Sequence, residues 1–378
     1  MNNIKPTQKL KLNDHKLMWH TEELTKWEKG EIFPPITIDF GPTSWCNHRC
    51  IHCYIQDTES FQKPRSLRED IYFRFMKEIG QYGVKAVVLG GCGEPFLHKS
   101  TTRAIKIAVE NGTDVAALTN GIPIKDKDIP SLMENMTYLR FSVNGGSSKS
   151  YAEIHKCKLK EWDKIRSTLR KCAEYKNKNN AKCTLGVYTL IFDPNLWEME
   201  EWVKEVKDIG VDYIIIKPPS PGLDSKKFVE HANLKILKPR LEKLADELTD
   251  EKFQVMVRMD LFDAKGGCNR NYDQCVGLPF MCAVDSDGSV YSCNWYWGEE
   301  KFNCGNLYGK TFPEIWEGAR AAKIREFVSS PNFKKYLETK CGFCRQNSLN
   351  NWLWKVKHGK DSLHTNGNNI PPAHINFI

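Results

Sequence analysis

The sequence of 378 residues has no apolar run near the length that crosses a bilayer. Its start, Met1-Asn2-Asn3-Ile4-Lys5, leads into polar sequence without the apolar centre of a secretion signal. Membrane anchoring and export are therefore not expected, and a cytoplasmic protein is. Charge of one sign is nowhere massed: the net +8 comes from Lys and Arg scattered along helical faces. That pattern describes a solvated basic surface and argues against nucleic acid as the main partner. No cysteine follows Cys344, a limit used below. With 40% hydrophobic and 27% charged residues the composition is that of an ordinary globular protein. The length suits one large unit and a smaller one.

What the chain does have is cysteine. Fourteen thiols in a chain without a signal are not a disulfide framework in a reducing compartment, and they read as metal ligands or core residues. Cys46, Cys50 and Cys53, with three and then two residues between them, follow a strand-like run at 36–40 and a Gly41-Pro42 break. Three thiolates turned to one centre leave a corner open for a small ligand. On the triplet alone, a zinc knuckle or three buried thiols satisfy the same pattern.

Six apolar runs alternate with helical patterns: 36–40, 84–89, 113–118, 138–143, 183–190 and 211–217. Between them Ser66 and Glu69 form a capping-box pattern ahead of Ile71, Phe75 and Ile79. Ser100 precedes a stripe of Ala104, Ile105, Ala108 and Val109, and Trp162, Ile165, Leu169 and Cys172 mark another. The alternation predicts parallel strands joined by helical crossovers. Ligands of such sheets sit at the carboxyl ends of the strands. At those ends lie Gly90-Gly91-Cys92-Gly93-Glu94-Pro95, Thr119-Asn120-Gly121, Ser142 with Asn144-Gly145-Gly146, and Lys217. Arg140 alternates with Ser142 and is expected to face inward, where it and Lys217 are candidate substrate contacts. A half-buried surface arginine is the plain alternative.

The cysteine loop resembles that of the radical S-adenosylmethionine (SAM) superfamily. The resemblance implies that Cys46, Cys50 and Cys53 hold a 4Fe-4S cluster whose fourth iron is chelated by SAM. His52, followed by Tyr54, occupies the usually aromatic place near the adenine. Gly91, Cys92, Gly93, Glu94 and Pro95 match the family's motif for the SAM amino group. Thr119, Asn120, Ser142 and Asn144 match its rims toward carboxylate, ribose or substrate. The implied fold is α/β: a partial (β/α)6 TIM-like barrel over 36–225, after an extension at 1–35 that is too short for a separate peptide-binding domain. A bridging region at 226–265, a small C-terminal α+β cluster domain at 266–350 and a tail at 351–378 follow.

In the last third, Cys275, Cys293, Cys341 and Cys344 make two pairs, the first spanned by an Asp287-Gly288 hairpin signal. With Gly305-Asn306-Leu307 and Ile315-Trp316 between the pairs, this resembles the SPASM/twitch extension. Because no cysteine follows Cys344, the twitch form with one auxiliary 4Fe-4S cluster is expected. A structural zinc site uses the same four-thiolate coordination. Cys268, Cys282 and Cys304 lie among these ligands without assignment, and Cys282 is the candidate hydrogen-atom donor if it faces the barrel. The tail is expected to be a cap without chemistry.

The resemblance implies reductive cleavage of SAM to methionine and a 5′-deoxyadenosyl radical, which takes a hydrogen atom from the substrate. The electron would come from a flavodoxin- or ferredoxin-type donor. Oxidation of a small polar substrate, such as a sugar, aminocyclitol or nucleotide, is the first expectation. A peptide or protein maturase, or an epimerase using a cysteine donor, is the alternative. An RNA-modifying radical enzyme and a non-catalytic zinc or iron-sulfur nucleic-acid-binding protein are the readings from other classes.

Overall fold

The computed structural model describes residues 16–53, 55, 62–219, 231–258, 270–339, 341, 344, 346–362 and 371–378. Tyr54 and Cys268 lie outside them. The six expected strands are β1 (Thr37–Phe40), β2 (Ala86–Leu89), β3 (Asp114–Thr119), β4 (Tyr138–Ser142), β5 (Thr184–Leu190) and β6 (Tyr213–Lys217). They run parallel and in sequence order. β2 and β6 are buried along nearly their whole length and read as apolar runs, whereas β1 and β4 alternate, with Asp39, Arg140 and Ser142 at the less buried inner positions.

Helices cover one face of this sheet. Glu69–Tyr82 packs Ile71, Tyr72, Phe75, Met76 and Ile79 onto it and stops at Gly83, whose φ of 101° is open to glycine. That layer takes Ile38, Phe40, Val87, Leu89, Val115, Ala117, Leu139 and Phe141 from the strands. The expected capping box is absent. Arg68 is the N-cap, while Ser66 forms a bridge with Thr43 and Ser100 spends its hydroxyl on Glu69. Both serines tie loops together because neighbouring segments compete for their oxygens.

The other face lines the interior of the partial barrel. Ala86, Val88, Ala116 and Tyr138 point there, and Phe377 packs among them. The last segment, 371–378, runs across the strands' amino ends: Thr37 Oγ1 donates to the Asn376 carbonyl at 2.8 Å, and Asn376 Nδ2 donates to Asp114 at 2.8 Å. The tail therefore plugs the end of the barrel opposite the motifs.

Beyond the six units the sheet continues at both sides. β7 (Gln254–Val257) adds parallel to β6. β8 (Met281–Val284) pairs parallel with β1, and β9 (Ser289–Tyr291) and β10 (Asn303–Asn306) follow antiparallel. The described residues thus form one ten-stranded sheet into which the C-terminal unit is hydrogen-bonded. The hairpin turns at Gly288, with φ of 82°, as its Asp-Gly pair predicts.

Helix Asn347–Lys357 and the N-terminal helix Thr21–Glu28 meet in a second core of Leu17, Leu24, Phe33, Val276, Phe280, Trp352 and Leu353. The extension is therefore laid over the C-terminal unit.

Candidate functional site

The loop after β1 is seated by its backbone. Arg49 N–H donates to the His155 carbonyl at 3.1 Å, Ile51 N–H to the Ile154 carbonyl at 2.9 Å, and Glu94 N–H to the Trp45 carbonyl at 2.8 Å. The loop is thus clamped between the end of helix Ser148–His155 and the turn after β2. Asn120 Nδ2 adds a tie to Asn47 Oδ1 at 2.9 Å.

Cys46, Cys50 and Cys53 sit partly buried in this loop, close enough that ionising one disfavours ionising another. Burial pushes the Cys46 thiol up to about 12 and Cys50 well above its ordinary value. Burial holds the Cys46 and Cys50 thiols protonated, and a metal centre would release those protons. That donor set fits an iron-sulfur cluster.

The glycine-rich turn supplies close approach. At Gly93, with φ of 73°, an added Cβ would lie 2.3 Å from the Thr43 carbonyl oxygen and 2.7 Å from that of Trp45. Gly91, with φ of 100°, lies under the Trp297 ring, 2.9 Å from an added Cβ. Trp297 comes from the C-terminal unit, so the turn joins the two halves of the site. The spacing of the motifs gives no hint of it.

Glu94 is buried, and its carboxylate accepts Thr119 Oγ1 at 2.7 Å, Asn120 N–H at 2.7 Å and Phe96 N–H at 3.2 Å. Burial raises its pKa to about 7 against the lowering effect of these donors. The side chain expected to meet an ammonium thus also welds the turn to the end of β3. Cys92 is buried with a raised pKa and packs against Gly41, which makes it a core thiol.

Asn144 organises the far rim. Its Oδ1 accepts Leu190 N–H at 2.7 Å, which orients Nδ2 toward His52 Nε2 at 3.3 Å. His52 Nε2 is therefore the acceptor and Nδ1 carries the proton. Burial lowers the His52 pKa to about 4, and its Nδ1 has no hydrogen-bond partner among the described residues. A buried, unsatisfied donor beside Cys53 fits a ligand with an acceptor there.

Ser142 and Arg140 lie on the inner face of β4. The Arg140 guanidinium stands 5.1 Å from the centre of the Tyr188 ring, and Lys217 Nζ stands 5.5 Å from the same ring. Neither cation has a carboxylate partner among the described residues. Gly186 makes this wall possible: the Tyr213 ring lies where a Cβ would be. Tyr188 was missed from sequence, though it is the inward residue opposite Ser142 in the register.

Cys275, Cys293, Cys341 and Cys344, up to 69 residues apart by number, line one small cavity with Tyr272, Tyr296 and Phe302. Each of Cys275 and Cys293 has its pKa raised by burial first and then by the neighbouring cysteines, Cys293 to about 12. The Tyr296 hydroxyl lies 2.9 Å from Cys341 Sγ, and Asn350 Oδ1 holds the Gly277 N–H at 2.8 Å. Four thiols gathered around one small cavity, Cys341 buried and the others partly so, fit a cluster.

Cys282 does not face the barrel. It registers with Ile38 on β1, shares that residue's helix-covered face and is 1% exposed. With Cys304, which packs in the same core, it stays outside the four-cysteine cavity. The alternation of β8 decides this, and the expected hydrogen-donor role is corrected accordingly.

The sequence pattern of the Radical SAM superfamily matches residues 41–206, and that of the SPASM iron-sulfur cluster-binding domain matches 275–345. The antilisterial bacteriocin subtilosin biosynthesis protein AlbA of Bacillus subtilis is 22% identical over 344 residues, 85% of this chain and 68% of AlbA. Streptococcus suis SuiB bound to precursor peptide SuiA superposes with a TM-score of 0.61 at 17% identity, over 88% of this chain and 78% of SuiB. The structure of anSMEcpe with bound AdoMet gives 0.55 at 17% identity, over 86% and 96% of the two chains.

Proposed function

Because the chain belongs to the radical SAM superfamily and carries an iron-sulfur cluster-binding SPASM domain, we propose that it is an enzyme that modifies a peptide. The observation that carries this is the similarity to AlbA, a bacteriocin biosynthesis protein, over 344 residues and 85% of this chain. The likeness in fold to SuiB, solved with its precursor peptide, agrees with it. These relatives favour the peptide maturase over the small polar substrate that the short N-terminal extension suggested.

Cys46, Cys50 and Cys53 would hold the SAM-binding cluster, and Cys275, Cys293, Cys341 and Cys344 an auxiliary one. When bound, SAM and its cluster supply the radical that takes a hydrogen atom from the peptide. The chain's own residues then have separate tasks. The turn at Gly91–Pro95 and the rim at Thr119, Asn120 and Asn144 hold the cofactor's polar ends, with His52 Nδ1–H as a donor. The barrel wall of Arg140, Tyr188 and Lys217 receives the peptide and orients a carboxylate of it toward two cations. The tail at 371–378 lies across the opposite end and shields that side of the barrel from water. A flavodoxin- or ferredoxin-type protein supplies the electron.

The test is anaerobic. The reconstituted protein is given dithionite, SAM and either perdeuterated candidate precursor peptides or deuterated aminocyclitols. Deuterium in 5′-deoxyadenosine from a peptide, with a mass change in that peptide, is expected. Transfer from an aminocyclitol alone would return the enzyme to the small-molecule class. SAM cleavage that requires RNA would point to the RNA-modifying reading.

A further inference from the structure

His155 lies 105 residues from Cys50, yet its Nδ1 is 3.2 Å from Cys50 Sγ. Its other nitrogen, Nε2, is 3.0 Å from the backbone N–H of Asn144. A backbone N–H can only donate, so Nε2 carries the lone pair and the single proton of the neutral ring is on Nδ1, aimed at the sulfur. The ring is 1% exposed and packs 4.3 Å from the Tyr151 ring, centre to centre. Helix Ser148–His155 ends at this residue, and the loop hydrogen-bonds to the carbonyls of Ile154 and His155. The donor and the thiol are therefore mounted on one rigid joint.

We propose that His155 is a positioning residue for the Cys50 ligand, and that its Nδ1–H donates to the thiolate and raises the reduction potential of the cluster held there. This rests on the reading of Cys46, Cys50 and Cys53 as cluster ligands. A hydrogen bond to a ligand sulfur withdraws negative charge from it, which favours the more electron-rich reduced state. Because Nε2 accepts the Asn144 N–H, the donor on Nδ1 is a neutral N–H rather than an imidazolium. Glu161 faces the neighbouring His48 Nε2 at 2.7 Å, and Cys157 lies close to the Glu161 and His48 pair. Asn144 is the hub, since its amide sets the His155 proton and its side chain sets that of His52. Cysteine spacing cannot reveal such a donor, because it arrives from a helix after β4.

The experiment uses the full chain with Cys293→Ser to silence the auxiliary site, reconstituted with iron and sulfide. Redox titration followed by electron paramagnetic resonance gives the midpoint of the remaining cluster, and pulsed spectra of protein labelled with 15N-histidine report any nitrogen coupled to it. A 15N coupling is expected in the reduced cluster before SAM is added. His155→Phe keeps an aromatic ring beside Tyr151 and should lose the coupling and shift the midpoint to more negative potential with iron content kept. His155→Gln retains a donor and an acceptor and should recover part of the shift. No coupling in the parent protein, or an unchanged midpoint in an iron-loaded His155→Phe variant, overturns the proposal. If His155→Phe does not fold, His155→Gln still decides: it carries no labelled ring at 155, so its spectrum should lose the coupling, and a coupling that persists there overturns the proposal. Iron content unaffected by Cys50→Ser would show instead that the ligand reading itself has failed.

Discussion

Asn120 donates its backbone N–H to Glu94 Oε2 at 2.7 Å, so the end of β3 is hydrogen-bonded to the glycine-rich turn after β2 through a buried carboxylate. Thr119 and Phe96 complete the arrangement on Oε1. Removing the carboxylate strands buried donors, each costing about 1–3 kcal/mol. Glu94→Ala should therefore lower the unfolding free energy of the apo-protein, read from urea curves, and weaken SAM binding.

The same residue gives a pH signature. Its pKa rises from 4.5 to about 7 on folding, so the folded state binds the proton more tightly than the unfolded chain. The stability from this group is fully present below about 4.5 and is lost as pH rises through about 7. The urea-midpoint gap between the parent protein and Glu94→Gln should narrow between pH 5 and pH 8. A constant gap across that range would show that Glu94 does not titrate there.

The two cysteine groups should separate in function. Cys50→Ala is expected to abolish formation of 5′-deoxyadenosine while the four-cysteine cavity still takes iron. Cys293→Ala is expected to leave SAM cleavage intact but stop peptide modification, with iron falling from about eight to about four per chain. Iron counts and deoxyadenosine assays on the two variants check both halves.

Gly93 cannot accept a side chain without moving the cysteine loop. An added Cβ meets the Thr43 and Trp45 carbonyls in a backbone conformation that only glycine adopts cheaply. Gly93→Ala should cost about 2–4 kcal/mol from overpacking and strain. Its iron content and SAM affinity should fall, and the thermal midpoint of the apo-protein should drop with them.

At the barrel wall, Arg140 and Lys217 flank Tyr188 without a carboxylate partner among the described residues. If a carboxylate of the peptide docks there, Arg140→Ala and Lys217→Ala should each raise KM about tenfold, roughly 1.4 kcal/mol, with kcat little changed. Tyr188→Phe should be nearly silent because the ring face remains. An unchanged KM in both cation variants would remove this wall from the substrate site.

The six barrel strands could be read from the chain because each is a short apolar run bounded by helical stripes, and residues such as Ile71, Phe75 and Ile79 fall one turn apart. The capping box at Ser66 could not be excluded locally, since only the loop at Thr43 reveals a competitor for its hydroxyl. Cys282 shows the same limit. Its place among cysteines suggested a role at the barrel, while its direction follows from its register with Ile38. The expected cap at the tail became a plug because Phe377 and Asn376 find partners on strands more than 200 residues away.

Sequence by itself pointed to the radical SAM superfamily, for the thiol spacing, the glycine-rich turn and the alternation of apolar runs with helical stripes are local patterns. Tertiary structure alone decided which way those groups point and what they touch. The Asn144 amide that fixes the His155 proton, the Trp297 ring on Gly91 and the joining of β8 to β1 are contacts between distant segments. Their geometry is set by sheet register and helix packing, and neither leaves a periodic trace in the residues that make the contact.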